Sequence, residues 1–415
     1  MFVKDLVSGN VSLASVSEAG VNANGFSLVA NLSSNGRRVS FHSSANNLDP
    51  ADVDTAFDVY VKDVSTGEVW LASTSDAGVA SNGSSLIATI AASGSRVAFQ
   101  SNATNLDPAD SDAGLDIYVK ELSTGDLVLA SSSDSGARGN AISIEPSLSS
   151  SGARVAFSSQ ANNLDPGATD TITDIYVKNV TTGDIRLVST SDSGVKGNGS
   201  SSGAALSNDG KRVAFSSFST NLDPADTDTD ADVYVKDLAT GDIALASTTA
   251  DGLKGDFSSH SPALSGQGRR VAFESAATNF DPADTDVLSD VYVGQPTICT
   301  VVGTALQDVL IGTAGNDVLC GRGGDDSLFG LQGDDVLAGE SGADSFEGGP
   351  GVDVLSYDSS PAGVEVSLTT GVGVGGDAGG DTVIDVEGLA VRRSPTTSAE
   401  TGEPTSWAVV PATTC

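Results

Sequence analysis

The chain has 415 residues, with 55 acidic against 20 basic and a net charge of −35. That balance excludes nucleic acid and anionic membrane surfaces as partners, because both require basic surface. Apolar content is ordinary for a soluble globular protein, and no stretch is long enough to span a bilayer.

Residues 1–293 repeat with a period of 58. DVYVKDVSTGE at Asp58 recurs at Asp116, Asp174 and Asp232, and is cut short as DVYVG at Asp290. The same period carries Leu13, Leu71, Leu129, Leu187 and Leu245 in an LAS or LVS strand, and Phe41, Phe99, Phe157, Phe215 and Phe273 in RVAF or RVSF. Each period predicts four short strands. Apolar residues alternate in VYVKDL, turn signals separate the strands, and no segment has a helical period. Four strands per repeat is the arithmetic of a β-propeller. The pattern P-x-L-S-x-x-G-x-R-V-A-F followed by D-V-Y-V-x-D resembles the TolB-like propeller repeat. That resemblance implies a fold and leaves function open, since propellers host many activities.

The chain opens in mid-repeat, because MFVKDL aligns with VYVKDL and Met1 stands where Val or Ile is expected. MFVKDLVSGN has neither the basic start nor the apolar core of a secretory signal. A longer natural protein, with its signal peptide upstream, is expected. Five periods are visible, whereas the family ring usually has six blades. The alternative is a closed five-bladed ring, in which the strand at Leu13 completes the blade that ends at Val293.

An acidic loop precedes each VYVK strand. It places Asp52, Asp54 and Asp58 in register with Asp110, Asp112 and Asp116, then Asp226, Asp228 and Asp232, then Asp284, Asp286 and Asp290; the third blade keeps Asp170 and Asp174. Alternating Asp suits a loop that wraps a hard cation. Asp and Asn are equally favoured turn formers, and no Gly sits at the bend that an EF-hand-like loop requires. Catalytic patterns are scarce. The two histidines, His42 and His260, fall in different blades, and no G-x-S-x-G, H-E-x-x-H or phosphate loop occurs. The expectation is a non-enzyme.

Residues 294–302 read as a linker. Residues 303–356 then form six consecutive nine-residue units: GTALQDVLI, GTAGNDVLC, GRGGDDSLF, GLQGDDVLA, GESGADSFE and GGPGVDVLS. Gly opens each, at Gly303, Gly312, Gly321, Gly330, Gly339 and Gly348. A second Gly holds the fourth place from the second unit on, at Gly315, Gly324, Gly333, Gly342 and Gly351. Asp holds the sixth place throughout, at Asp308, Asp317, Asp326, Asp335, Asp344 and Asp353. The eighth place is Leu or Phe. The last three places predict a short strand with the eighth residue pointing inward and the Asp carboxylate facing out. Two units make one coil, so Asp308 lies near Asp326, Asp317 near Asp335, Asp326 near Asp344 and Asp335 near Asp353, at the ~4.8 Å spacing of strands. Like charges so close call for a cation between them, and carboxylates with turn carbonyls are the hard oxygen ligands of Ca2+.

This run resembles the haemolysin-type (RTX) repeats of secreted bacterial proteins. The resemblance implies a parallel β-roll that holds Ca2+ with these Asp carboxylates and the carbonyls of its glycine turns. Leu306 replaces the fourth-place Gly of the first unit, which is expected to act as a cap. Cys299 and Cys320 flank the open end of the roll, either as a disulfide of an exported protein or as free thiols. Residues 357–390 resemble the β-rich segment that follows RTX runs. Residues 391–415 read as a disordered tail. Shifted by one frame, the codons of this tail can spell further Gly- and Asp-bearing nonapeptides.

The expectation is therefore all-β: a propeller of five to six blades, incomplete at the N-terminus, followed by a parallel β-roll. The function expected is that of an extracellular or cell-surface bacterial protein. Its roll folds on Ca2+, and its propeller offers a scaffold or recognition platform to a protein or glycan. The rivals are a secreted hydrolase with its active site in the propeller channel and an adhesion or matrix protein.

Overall fold

The computed structural model describes residues 1–226, 228–249, 253–281, 283–294, 298–357, 360 and 362–391. Among them every regular element is a β-strand except a single 3-10 turn at Gly376–Ala378. The chain divides into two compact units, one holding the strands up to Gly294 and the other those from Val301 on.

In the first unit the 58-residue period becomes a four-stranded antiparallel sheet, formed four times. In one copy Ser85–Ile90, Arg96–Ser101, Asp116–Glu121 and Leu127–Leu129 lie side by side in chain order. The sheets starting at Ser27, Ser143 and Ser201 repeat this meander, which is that of a propeller blade. The first strand of each blade is bulged, and Val29, Ile87 and Glu145 take left-handed backbone there, with φ of 47°, 50° and 60°. The fourth blade places Gly203 at that point. Each core centres on an aromatic stack: Phe41 on Tyr60, Phe99 on Tyr118, Phe157 on Tyr176 and Phe215 on Tyr234, with centroids 5.8–5.9 Å apart.

Successive blades are tied by the lysine of VYVK. Lys120 Nζ donates to the carbonyls of Thr74 and Ser75 in the preceding blade at 2.9 and 3.1 Å. Lys178 and Lys236 make the same contacts with Ser132 and Ser133, and with Thr190 and Ser191. A buried ammonium is tolerable when protein acceptors take the place of its water, and here two carbonyls of the loop between blades do so.

The repeat is incomplete at both ends. Phe2–Lys4 pairs with Val11–Leu13 as a hairpin, so the strand at Leu13 belongs with Met1 and does not complete a blade ending at Val293. The last sheet has three strands, Ser259–Leu264, Val271–Ser275 and Asp290–Gly294. Among the described residues no strand pairs with its outer edge. Val291 and Val293 are 71% and 67% exposed, whereas Val233 and Val235, one period earlier, are fully buried.

In the second unit the nonapeptides wind into two parallel sheets. Val301–Val302, Val318–Cys320, Val336–Ala338, Val354–Tyr357 and Gly388–Val391 form one; Val309–Ile311, Ser327–Phe329, Ser345–Glu347 and Thr382–Ile384 form the core of the other. The register is 18 residues, as Val318 faces Val336 and Ser327 faces Ser345. Leu310, Leu319, Leu328, Leu337, Phe346 and Leu355, the eighth-place residues of the first five units and of the sixth, are buried in a single cluster. The sheets run past the nonapeptides at both ends, upstream to Val301 and downstream to Val391. The tail expected at 391–415 begins within the last of these strands, where Val391 pairs with Tyr357, and residues 392–415, Cys415 included, lie outside the described residues.

Candidate metal centre

The six sixth-place aspartates stack as the period requires. Asp326 Oδ1 accepts the backbone N–H of Asp308 at 2.8 Å, Asp335 that of Asp317, Asp344 that of Asp326 and Asp353 that of Asp335. This ladder overturns the expectation that the carboxylates face out. Asp317, Asp326, Asp335, Asp344 and Asp353 are all buried, because one oxygen of each is held by the coil beneath. Only Asp308, at the end of the stack, is half-exposed.

The second carboxylate oxygen divides the six into two groups. Asp308 Oδ2 accepts from the Thr304 amide and hydroxyl at 2.6 and 2.7 Å, and Asp317 Oδ2 from those of Thr313 at 2.6 and 2.8 Å. The later units have Arg322, Leu331, Glu340 and Gly349 in the place of these threonines. Their aspartates, Asp326, Asp335, Asp344 and Asp353, keep a buried Oδ2 with no hydrogen-bond partner among the described residues. A buried charged oxygen without a partner costs several kcal/mol unless something neutralises it. Burial accordingly pushes these four carboxyls above the usual range, with neighbouring carboxylates adding to the shift; Asp344 reaches about 7. Asp308 moves the other way, held below the usual range by Thr304.

The glycines make this packing possible. A Cβ on the first-place Gly321, Gly330, Gly339 or Gly348 would collide with the Oδ2 of its own unit's aspartate, and Gly312 meets Asp317 in the same way. A Cβ on the fourth-place Gly342 or Gly351 would run into the carbonyl of Gly324 or Gly333 in the coil beneath. Gly324 and Gly333 also take positive φ, of 98° and 125°, and Gly315 stands in the most open turn. Four orphaned carboxylate oxygens, stacked among closely packed turn carbonyls, are the all-oxygen donor set that suits Ca2+, and the residues fit the ion.

Two members of the ladder escape the nine-residue period. Asp344 N–H donates to Asp381 Oδ1 at 2.8 Å, and Asp353 N–H to Glu387 Oε2 at 2.9 Å, so these acids continue the stack. Tyr357 closes on Asp381 at 2.5 Å. The signal was present in the D-T-V-I and V-E-G-L strings, but at separations of 37 and 34 residues rather than the 18 of the rest of the ladder. The expected choice at Cys299 and Cys320 resolves as a disulfide, with Cα atoms 5.9 Å apart, at the start of the roll.

The blade loops also gather their acids. The sets Asp52–Asp54–Asp58, Asp110–Asp112–Asp116, Asp226–Asp228–Asp232 and Asp284–Asp286–Asp290 each bring three carboxylate oxygens within 4.8 Å of one another. His42 sits in its strand, buried edge-on against Phe57, with ring centroids 5.4 Å apart.

Residues 302–337 and 321–355 match the RTX calcium-binding nonapeptide repeat family, in four copies. These residues are RTX repeats, which bind Ca2+ and are typical of exported bacterial proteins. No curated protein matches the chain. Among solved structures, TolB from Acinetobacter baumannii is 16% identical over 71% of this chain and 59% of its own, with a TM-score of 0.39. The β-propeller domain of the Trilobed protease from Pyrococcus furiosus is 9% identical over 72% and 74%, with a TM-score of 0.43. An oligogalacturonate lyase in complex with manganese is 13% identical over 71% of each chain, with the same score. The chain thus spans about three fifths of the length of that TolB. No helix among the described residues is long and apolar enough to cross a membrane.

Proposed function

We propose that this protein is an exported, non-enzymatic calcium-binding protein whose roll completes its fold on Ca2+ and whose blades serve as a rigid scaffold or recognition platform. The four orphaned oxygens of Asp326, Asp335, Asp344 and Asp353 carry this reading. Ca2+ supplies positive charge and a coordination shell of six to eight oxygens. This chain supplies the four carboxylates and the carbonyls of the turns opened by Gly321, Gly330, Gly339 and Gly348 and continued by Gly324, Gly333, Gly342 and Gly351. The first two turns need no ion, since Thr304 and Thr313 already satisfy Asp308 and Asp317. The Cys299–Cys320 disulfide staples that same end, which suits an oxidising compartment outside the cell.

Because a metal bound only by the folded state adds its binding energy to folding, the roll gains stability with every site filled, by ~2.7 kcal/mol at a hundredfold excess over Kd. Amide hydrogen exchange on the full chain tests the reading. On chelation, amides from Asp326 to Val391 should lose protection by roughly a hundredfold, while the two Thr-capped turns and the strands of the blades that hold Asp116 and Asp174 keep theirs. Equal protection with Ca2+ and with chelator would overturn it.

A further inference from the structure

The acidic sets on the blades differ in what faces them, and the difference follows the repeat. In the second blade the guanidinium of Arg138 enters the set: Nη1 donates to Asp116 Oδ2 at 2.9 Å, Nε lies 3.7 Å from Asp110 and Nη2 pairs with Asp112. One period on, the Lys196 ammonium bridges Asp170 and Asp174 at 3.1 Å each. Lys254 holds the same repeat position for the next blade. All of these cations are delivered by one small structure, an isolated bridge closing the loop between blades: Ser132 with Arg138, Thr190 with Lys196, Thr248 with Lys254. In the first full blade the bridge is Thr74 with Ala80, so the position that carries a positive charge elsewhere carries a methyl group.

The acids of that blade are unchanged. Asp58 is 1% exposed and accepts both Ser73 and Ser81 hydroxyls on Oδ1 at 2.6 Å. Its Oδ2, the atom that receives Arg138 in Asp116 and Lys196 in Asp174, accepts no hydrogen bond among the described residues. Asp52 is fixed by the Tyr60 hydroxyl at 2.5 Å, and Asp54 is exposed at the mouth. Among the described residues no Lys or Arg pairs with any of the three. Burial pushes Asp58 up to about 6, with Asp52 and Asp54 adding to the shift.

We propose that Asp52, Asp54 and Asp58 bind a hard divalent cation, Ca2+ by their chemistry, in the place that the side chains of Arg138 and Lys196 fill in the neighbouring blades. Three things support this assignment. The sister blades show that the constellation accepts a cation. Asp58 is a buried residue whose Oδ2 accepts no hydrogen bond among the described residues, which leaves one ligand position open. The 4.8 Å span of the three oxygens is twice the ~2.4 Å Ca–O distance, the widest separation of two oxygens on one ion. The site is separate from the roll and does not depend on it.

Counting bound Ca2+ per full-length chain by equilibrium dialysis tests the proposal, at free Ca2+ well above the ~1 mM limit of weak extracellular sites. Ala80→Arg should tether a cation in the first blade and bind one Ca2+ fewer than the unmodified chain. Arg138→Ala should vacate the second blade and bind one more. The roll contributes equally to all three counts. A folded variant of either kind, judged by circular dichroism, that leaves the count unchanged overturns the proposal.

Discussion

Blades and roll handle buried carboxylates in opposite ways. In the blades, Asp52, Asp110 and Asp226 each receive a tyrosine hydroxyl, at 2.5–2.6 Å, and Asp116 and Asp174 receive a cation from the chain itself. In the roll, Asp326, Asp335, Asp344 and Asp353 keep an oxygen that nothing among the described residues satisfies. The comparison teaches that acidity alone says little about metal dependence. A carboxylate waits for an ion only where the fold buries it and the sequence withholds a partner. One threonine per turn marks the difference within the roll, and one arginine or lysine per loop marks it among the blades.

The sharpest way to break this comparison is Asp335→Asn, since Asp335 takes part in two stacked pairs. In chelator the change removes an uncompensated buried charge and should leave the roll's melting transition unchanged or higher. In saturating Ca2+ it should cost up to ~5 kcal/mol, the linkage of two sites at a hundredfold excess. The blade counterpart, Tyr118→Phe, strands Asp110 Oδ2 and should cost ~1–3 kcal/mol whether or not Ca2+ is present. Calorimetry with and without chelator reads both, and a calcium-independent effect of Asp335→Asn would dissolve the contrast.

Reduction of Cys299–Cys320 comes next in size. Opening a loop of 21 residues should cost the roll about 3 kcal/mol, seen as a lower unfolding transition after thiol treatment, and should leave the blade transition in place. A shift of the blade transition instead would mean that the two regions do not melt separately.

The smallest effect expected is that of pH. Asp344 sits at about 7 in the folded roll, well above its ordinary value, so its contribution to stability is complete at acid pH and is lost as pH rises through 7. In chelator the roll should therefore melt lower at pH 8 than at pH 5. Saturating Ca2+ should reverse that order, because the metal binds the deprotonated carboxylate. Asp116, raised to about 6 by burial but paired with Arg138, should give the blades a trend that is finished a unit lower and that Ca2+ leaves alone.

Much of this architecture was legible in the residues. The period of 58 gave the four strands of Ser85–Leu129 and its copies, and the period of nine gave the strands, the inward Leu319, Leu328 and Leu337, and the 18-residue stacking. The disulfide was one of two options left open. The blade lysines were not seen as clamps, because VYVK reads as an alternating strand and the carbonyls that Lys120 reaches lie 45 and 46 residues away. Asp381 and Glu387 were missed because the segment that carries them lies 37 and 34 residues from its partners, against a stacking step of 18 in the nonapeptides.

The sequence by itself determined the two repeats, the faces they bury and the acids they align, because hydrophobic period and glycine placement are local properties of the chain. Only the tertiary structure decided which aspartates lack a partner. Asp317 and Asp335 hold the same place in the same motif, yet one is capped by Thr313 and the other is orphaned beside Leu331. Asp58 and Asp116 are likewise one period apart, and Ala80 or Arg138 from the loop between blades sets their difference. Hydrogen bonds and close ion pairs act over about 3 Å, so a charge acquires its partner only when the fold has brought the two within reach.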